Sequence, residues 1–432
     1  MGTTFRNISR RSLVCAIGAV MFSLSAMSMA APAKKAKSAP AAKAEKPVQV
    51  TQIELFHKLP PTRAKALQSL VERFNAQSPV PVVLVENDWR APQTPHLLIL
   101  DGADQEAFLL GKPRYKPLFA LMKEAGVALK TVKPAAMVTR KPVSGNGQLL
   151  ALPVGLNTPV LFFNRAALKR GGVEASSLST WADVTNAANK LSSTSRCVVS
   201  LSEPARVLIE NVSAWSNLPA AKGKQVVFND ITRVRYLSQV ASLYRADLLK
   251  IFESTTEGEE RFAKGECALY IGPSDSWAYF QQKSGLDVGV TRLPYIADIP
   301  GAPQNTLADG ASLWVSAGKK SPEYKVVAKF VDFWLTPDNQ VGWQRETGYL
   351  PLNRAGIFAT DSQLLGNELE GNKVAIGQLI NKPVSGSSAV QPVLERDSAR
   401  SIIESELAGV WADRKSTKDA LDTAAKRLSS GK

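Results

Sequence analysis

Histidine is almost absent: the 432 residues hold two, His57 and His96, alongside three cysteines. No CxxC, HExxH, GxSxG or P-loop pattern occurs anywhere in the chain. Nucleophile–base pairs and zinc clusters therefore have little to stand on. Neither a metal nor a cofactor is expected, and the chain is not expected to be an enzyme. Gly145-Asn146-Gly147 reads as a turn, and a hairpin tip rather than a phosphate loop. The net charge is +15, yet no dense Lys/Arg helix with interleaved aromatics accompanies it. Nucleic acid is thus not an expected partner.

Much of that charge belongs to the start of the chain. Arg6, Arg10 and Arg11 precede an apolar run from Leu13 to Met27, followed by Ser28-Met29-Ala30. Small residues at Ser28 and Ala30 suit cleavage near Ala30, so residues 1–30 read as a cleaved signal peptide for export. Ser9-Arg10-Arg11 hints weakly at twin-arginine export, and the export route stays open. Cys15 is expected to leave with this leader. Residues 31–47, APAKKAKSAPAAKAEKP, cannot bury a core and read as a flexible tether. The mild positive excess that remains suits a protein that handles small anions. Cys197 and Cys267 remain as well, either bridged or as two buried thiols.

A chain of this length implies two or more lobes. Val48 to Leu59, Pro81 to Asn87 and His96 to Gly102 read as strands, with a helix opening at Pro60-Pro61-Thr62 between the first two. The order implies α/β layers with a largely parallel sheet. The link Asp88 to Pro95 is short for a parallel crossover. Gln148 to Asn164 is extended but broken at Gly155-Leu156-Asn157, which suits a crossing between lobes. Cys197 to Leu201 and Cys267 to Ile271 are further strands, and a helix opens at Ser274-Asp275-Ser276, whose N–H groups can cap or hold an anion. Ser321 is read as a cap with Pro322 behind it, and Val326, Val327, Phe330, Phe333 and Trp334 form that helix's apolar face. Thr336-Pro337 starts another helix that Gly348 stops. Tyr349 follows at once, so its hydroxyl is either packing or aimed at a ligand.

The segments ERFAKGECALYIGPSDSWAYF, APQNTLADGASLWVSAGKKSPEYKVVAKFVDFWLTPDN and ETGYLPLNRA resemble the extracellular solute-binding proteins of ABC importers. Within these they are most similar to binders of sn-glycerol-3-phosphate and glycerophosphodiesters. NTPVLFFNRAALKRGG, STWADVTNAANKL, ENVSAWSNLP and IESELAGVW extend the likeness over nearly the whole mature chain. The resemblance implies an α/β fold of the periplasmic-binding-protein type II. Two α/β lobes would be joined by a hinge, with the ligand in the cleft. Residues 48–157 plus 303–352 would form the N-lobe, and residues 158–302 plus 353–432 the C-lobe. The partners implied are a small phosphorylated ligand and an inner-membrane ABC permease with its ATPase, served by a monomer. Tyr349, Gly310 and Arg400 match the family's phosphate-side contacts, and Cys197 and Cys267 fall where the family has cysteines.

The departures fall on the glycerol side. The family's helix between its second and third strands, with its ligand-contacting tyrosine, has no room in Asp88 to Pro95. The acidic contact maps to Asp101 or Gly102, a serine becomes Asn157, another lies at Ser274 or is displaced by Pro273, and a tryptophan becomes Arg206. Three other readings stand beside the leading one: the same fold with another organic phosphate or a sugar, an envelope protein that has lost transport, and an exported hydrolase.

Overall fold

The computed structural model describes residues 50–129, 147–351, 367–389, 394 and 397–430. The leader, the tether, and the Gly145-Asn146 part of the expected turn lie outside them. Twelve strands are described: β1 (Ile53–His57), β2 (Val82–Val85), β3 (Leu97–Leu100), β4 (Leu152–Pro153), β5 (Pro159–Asn164), β6 (Cys197–Leu201), β7 (Ala221–Lys222), β8 (Gln225–Val226), β9 (Leu249–Ile251), β10 (Cys267–Pro273), β11 (Val288–Thr291) and β12 (Ser312–Val315).

Apolar residues on both faces of a strand demand cover on both sides. Leu97 and Ile99 of β3 join one core cluster, and Leu98 and Leu100 join another on the opposite face. In β12 the same alternation sends Leu313 and Val315 one way and Trp314 the other. The first sheet runs β2-β1-β3-β12-β4, and the second runs β11-β5-β10-β6-β9. β7 and β8 form a separate small hairpin.

Both sheets are mixed, which corrects the expectation of a largely parallel sheet. β1 pairs parallel with β2 and β3, but β12 runs antiparallel to β3 and to β4. In the second sheet β5 is antiparallel to β10 and β11, while β6 is parallel to β9 and β10. The antiparallel strands are late in sequence or lie beside a crossing, where local pattern carries no direction. The short 86–96 link is also explained. β1 lies between β2 and β3, so the link joins strands that are not neighbours, and it contains no helix.

Helices form where caps and stripes agree. Thr180 and Asp183 make a reciprocal capping box for Trp181–Leu191. Gly348 ends Pro337–Thr347 in the left-handed conformation at φ 77°. Ser321, read as a cap, is instead the first helical residue of Ser321–Trp334. Lys320 holds the cap position and donates its N–H to Glu323 at 2.5 Å. Val327, Phe330 and Trp334 of that helix are buried, with Val326 and Phe333 packed at the edge of the core.

The chain passes from the first sheet to the second between β4 and β5 and returns between β11 and β12. The two passages zip together. Asn157 donates to the Asp309 carbonyl at 2.9 Å, Asp309 donates back at 3.0 Å, and Gly155 donates to Ala311 at 2.9 Å. A third passage begins where Leu350 donates to Leu156 at 2.8 Å. In the second sheet Cys197 and Cys267 sit opposite each other in the β6–β10 pair and are joined by a disulfide.

Candidate functional site

The zipped passages floor a cavity of about 290 Å³. The first lobe supplies Pro60, Arg63, Asp101, Gly102 and Tyr349. The second supplies Glu203, Arg206, Thr255, Thr256, Glu259, Pro273, Asp275 and Arg400. The passages themselves supply Asn157, Asp309 and Gly310.

Each wall has a local reason for its place. Gly348 turns the chain so sharply that a Cβ there would lie 2.3 Å from the Asp275 carbonyl oxygen. The next residue, Tyr349, is thereby set 6.1 Å from the Trp343 ring, with the Arg63 guanidinium 5.7 Å from its own ring. Tyr349 is 6% exposed, and burial, then the Asp275 charge, pushes its phenol well above the usual tyrosine range. It is a neutral hydroxyl able to donate to a ligand.

Arg206 and Glu210 stand on a helical segment wound to the wider π pitch, Ala205–Asn211, a distortion often found where side chains must be re-aimed. Arg206 donates to the Asn157 side-chain oxygen at 2.5 Å and to Glu203 at 3.2 Å. Glu203 itself has a positive φ of 54°, a backbone region uncommon for such a residue. Arg400, on the helix Asp397–Trp411, meets Glu210 edge-on through Nε and Nη2, each at 2.8 Å. Its Nη1 pairs with Asp309. Burial alone would lower the Arg400 pKa, but Asp309 and then Glu210 carry it well above the ordinary value.

At the other end of the cavity Arg63 bridges the lobes, pairing with Asp275 at 2.5 Å and Glu259 at 3.3 Å. One guanidinium cannot neutralise two buried carboxylates. Burial, with Asp275 adding to it, accordingly raises the Glu259 pKa even though Arg63 pulls it down. The Ser276 hydroxyl donates to Glu259 at 2.6 Å.

The structure thus brings Tyr349, Arg400, Gly310, Asn157, Asp101 and Arg206 to one cavity. Ser274 is not among the lining residues and is 1% exposed. Its hydroxyl accepts from the Thr158 N–H at 3.3 Å and its N–H donates to the Thr158 carbonyl at 2.9 Å, so it fastens the passage instead of facing a ligand. Gly310 also has a different reason for being glycine. At φ 137° a Cβ would lie 1.8 Å from the Gly155 carbonyl oxygen, so the zipped passages exclude a side chain whether or not a ligand approaches.

Sequence reasoning missed Arg63, Glu203, Glu259, Asp275 and Asp309. One signal was present for Arg63. A cation in the first turn of a helix opposes the positive end of the helix dipole, and the first turn of Pro61–Asn75 carries no acid. Such a residue asks for a reason. No group of three or more His, Cys, Asp or Glu among the described residues is placed to hold a metal ion.

A two-lobed α/β fold with a charged cavity at the strand-crossing hinge defines a binder of small solutes, and the comparisons place it. Residues 70–360 match the family model described as bacterial extracellular solute-binding protein, and the chain belongs to that family, the extracellular component of ABC importers. It is 30% identical over 402 residues, covering 88% of this chain and 92% of the relative, to the sn-glycerol-3-phosphate-binding periplasmic protein UgpB of Shigella dysenteriae serotype 1. Its fold is similar to that of UgpB from Mycobacterium tuberculosis in complex with glycerophosphocholine. The TM-score there is 0.72 at 18% identity, covering 87% of this chain and 96% of that one. Maltose-bound T. maritima MalE3 is also similar, at TM-score 0.67 and 16% identity, covering 88% of this chain and 99% of that one. The fold is the type II periplasmic binding fold.

Proposed function

We propose that this protein captures sn-glycerol-3-phosphate or a glycerophosphodiester in the periplasm and delivers it to a membrane permease driven by an ATPase. The reading includes export on a signal cleaved near Ala30, a monomer, and lobes of residues 48–157 plus 303–352 and 158–302 plus 353–432 that close on the ligand. The observation that carries it is the convergence of Tyr349, Gly310 and Arg400 on the wall of one cavity. A phenol, a backbone N–H and a guanidinium are natural donors to phosphate oxygens. The likeness to UgpB proteins supports the same ligand class.

Charge balance refines the choice. Among the described residues, Asp101, Glu203, Glu259, Asp275 and Asp309 face the cavity against Arg63, Arg206 and Arg400. A doubly charged monoester would meet an excess of carboxylates. A phosphodiester carrying an ammonium group, or polyol hydroxyls that donate, suits the lining better. The same excess favours a second reading, a neutral sugar, because carboxylates accept from sugar hydroxyls.

Calorimetric titration of the mature protein with glycerol-3-phosphate, glycerophosphocholine and maltose separates these readings. Tyr349→Phe keeps the ring packing and removes the donor, so it is the cleaner companion. Arg400→Ala would also take the Arg400 cation away from Glu210 and Asp309. We expect micromolar-or-better binding of a phosphate ester, weakened about tenfold in Tyr349→Phe, as for loss of one charge-assisted hydrogen bond. Binding of maltose with no heat from either phosphate ester would overturn the proposal.

A further inference from the structure

The two donors assigned to phosphate on the strength of family likeness are already engaged by one side chain. Asp309 accepts the Gly310 backbone N–H on Oδ1 at 2.8 Å. Its other oxygen, Oδ2, pairs with Arg400 Nη1. A single carboxylate thus spans a backbone N–H and a guanidinium, with the geometry by which those groups would hold two oxygens of a phosphate. Glu210 holds the Nε–Nη2 edge of Arg400, and Asp309 meets it on the Nη1 side at the cavity wall. Asp309 is positioned to do this by the zipped passages. Its backbone is bonded in both directions to Asn157, which fixes its Cα while leaving the side chain, 19% exposed, at the cavity wall.

We propose that Asp309 is a built-in anion that occupies the phosphate subsite of the ligand-free protein and must turn away for a phosphate ester to bind. The proposal rests on the phosphate reading above and deepens it. The Asp309 carboxylate sets a threshold. A phosphate group, which offers anionic oxygens to both Gly310 N–H and Arg400 Nη1, competes with the carboxylate for these donors, whereas a neutral hydroxyl gains nothing by displacing a carboxylate that accepts from it. Glu210 stays in place and keeps Arg400 oriented in either state. Asp309 is therefore a specificity-determining residue, selecting anions strong enough to replace it.

The test is titration of wild type, Asp309→Asn and Asp309→Ala with inorganic phosphate, glycerol-3-phosphate, glycerophosphocholine and maltose. Removing a competing carboxylate within ion-pair distance of Arg400 is expected to tighten phosphate and glycerol-3-phosphate by at least about tenfold in both variants. A crystal structure of the wild type soaked with its tightest phosphate ester gives a readout independent of folding in the variants. The expected result is phosphate on Gly310 N–H and Arg400, with the Asp309 carboxylate rotated off both. Unchanged or weaker phosphate binding in the variants, or Asp309 still on Arg400 with the ester bound, overturns the placeholder while leaving the phosphate reading intact. Absence of phosphate-ester binding in wild type and variants alike overturns both. Maltose binding weakened by Asp309→Asn, with no phosphate binding, assigns Asp309 to sugar recognition and overturns the proposal.

Discussion

Arg63 and Arg400 stand in one cavity, and each pairs with two carboxylates. The scaffolds differ. Glu210, the edge-on partner of Arg400, belongs to a segment packed against the Arg400 helix itself, and Asp309 lies on the passage between lobes. The partners of Arg63 lie on Thr255–Ala263 and at the end of β10, both across the cleft from its own helix. Opening the cleft would leave the Arg400–Glu210 pair whole and would pull Arg63 from both of its acids. One arginine is therefore part of a wall, and the other is a fastening between walls.

That distinction breaks first under Arg400→Ala. The variant takes from the buried Glu210 and from Asp309 the cation they share, and unfolding free energy is expected to fall by about 3 kcal/mol. Urea denaturation measures it, and a loss below about 1 kcal/mol would deny Arg400 its structural share. Arg63→Ala sharpens the comparison. Its cost falls on the closed state, because an open cleft lets water reach Glu259 and Asp275. Small-angle scattering of the ligand-free variant should give a larger radius of gyration than wild type, with a stability change within about 1 kcal/mol. Equal scattering combined with a loss as large as that of Arg400→Ala would erase the difference between the two arginines.

The smallest effect concerns the Arg400 wall and pH. Glu404 lies one turn beyond Arg400 and accepts the Ala205 N–H at 2.9 Å. Burial pushes its pKa up to about 7, against the downward pull of that hydrogen bond. The folded state therefore binds this proton more readily than the unfolded chain does. The contribution of Glu404 is most favourable below the ordinary carboxylate range and is lost as pH rises through about 7. The melting temperature of wild type relative to Glu404→Gln should then fall between pH 5 and pH 8. A difference that does not change with pH would remove Glu404 from the network. His57 and His96, whose pKa values are lowered by burial, contribute in the opposite direction in both proteins and cancel from the comparison.

The parts of this molecule that could be read from sequence are those decided locally. The helix start at Thr336-Pro337, the stop at Gly348 before Tyr349, and the break at Gly155-Leu156-Asn157 depend on residues a few positions apart, and each was legible. Sheet order was not, because β12 enters between β3 and β4 from far along the chain and no local pattern encodes that choice. At the site, glycine, tyrosine and arginine in family register pointed to the cavity, with Tyr349 beside Arg63 and with Gly310 and Arg400 on Asp309. Asp275 looked like an ordinary helix cap, yet its side chain makes no capping bond and goes to Arg63 instead. Asp309 had no signal at all, since its meaning comes from the Arg400 side chain far along the chain.

The late arrival of β12 has a consequence for synthesis. Its residues Leu313, Trp314 and Val315 are fully buried in the middle of the first sheet, between β3 and β4. Until Ser312 has been made, β3 presents an apolar edge, Leu97–Leu100, with no partner on that side. At roughly 5–20 residues per second the wait between β4 and β12 is about ten to thirty seconds. The amino-terminal half of the first lobe must spend that time unfinished while the second lobe is translated. Its earliest strands are thus a template held open on the nascent chain, dependent on chaperones or on delayed folding to stay out of intermolecular sheets.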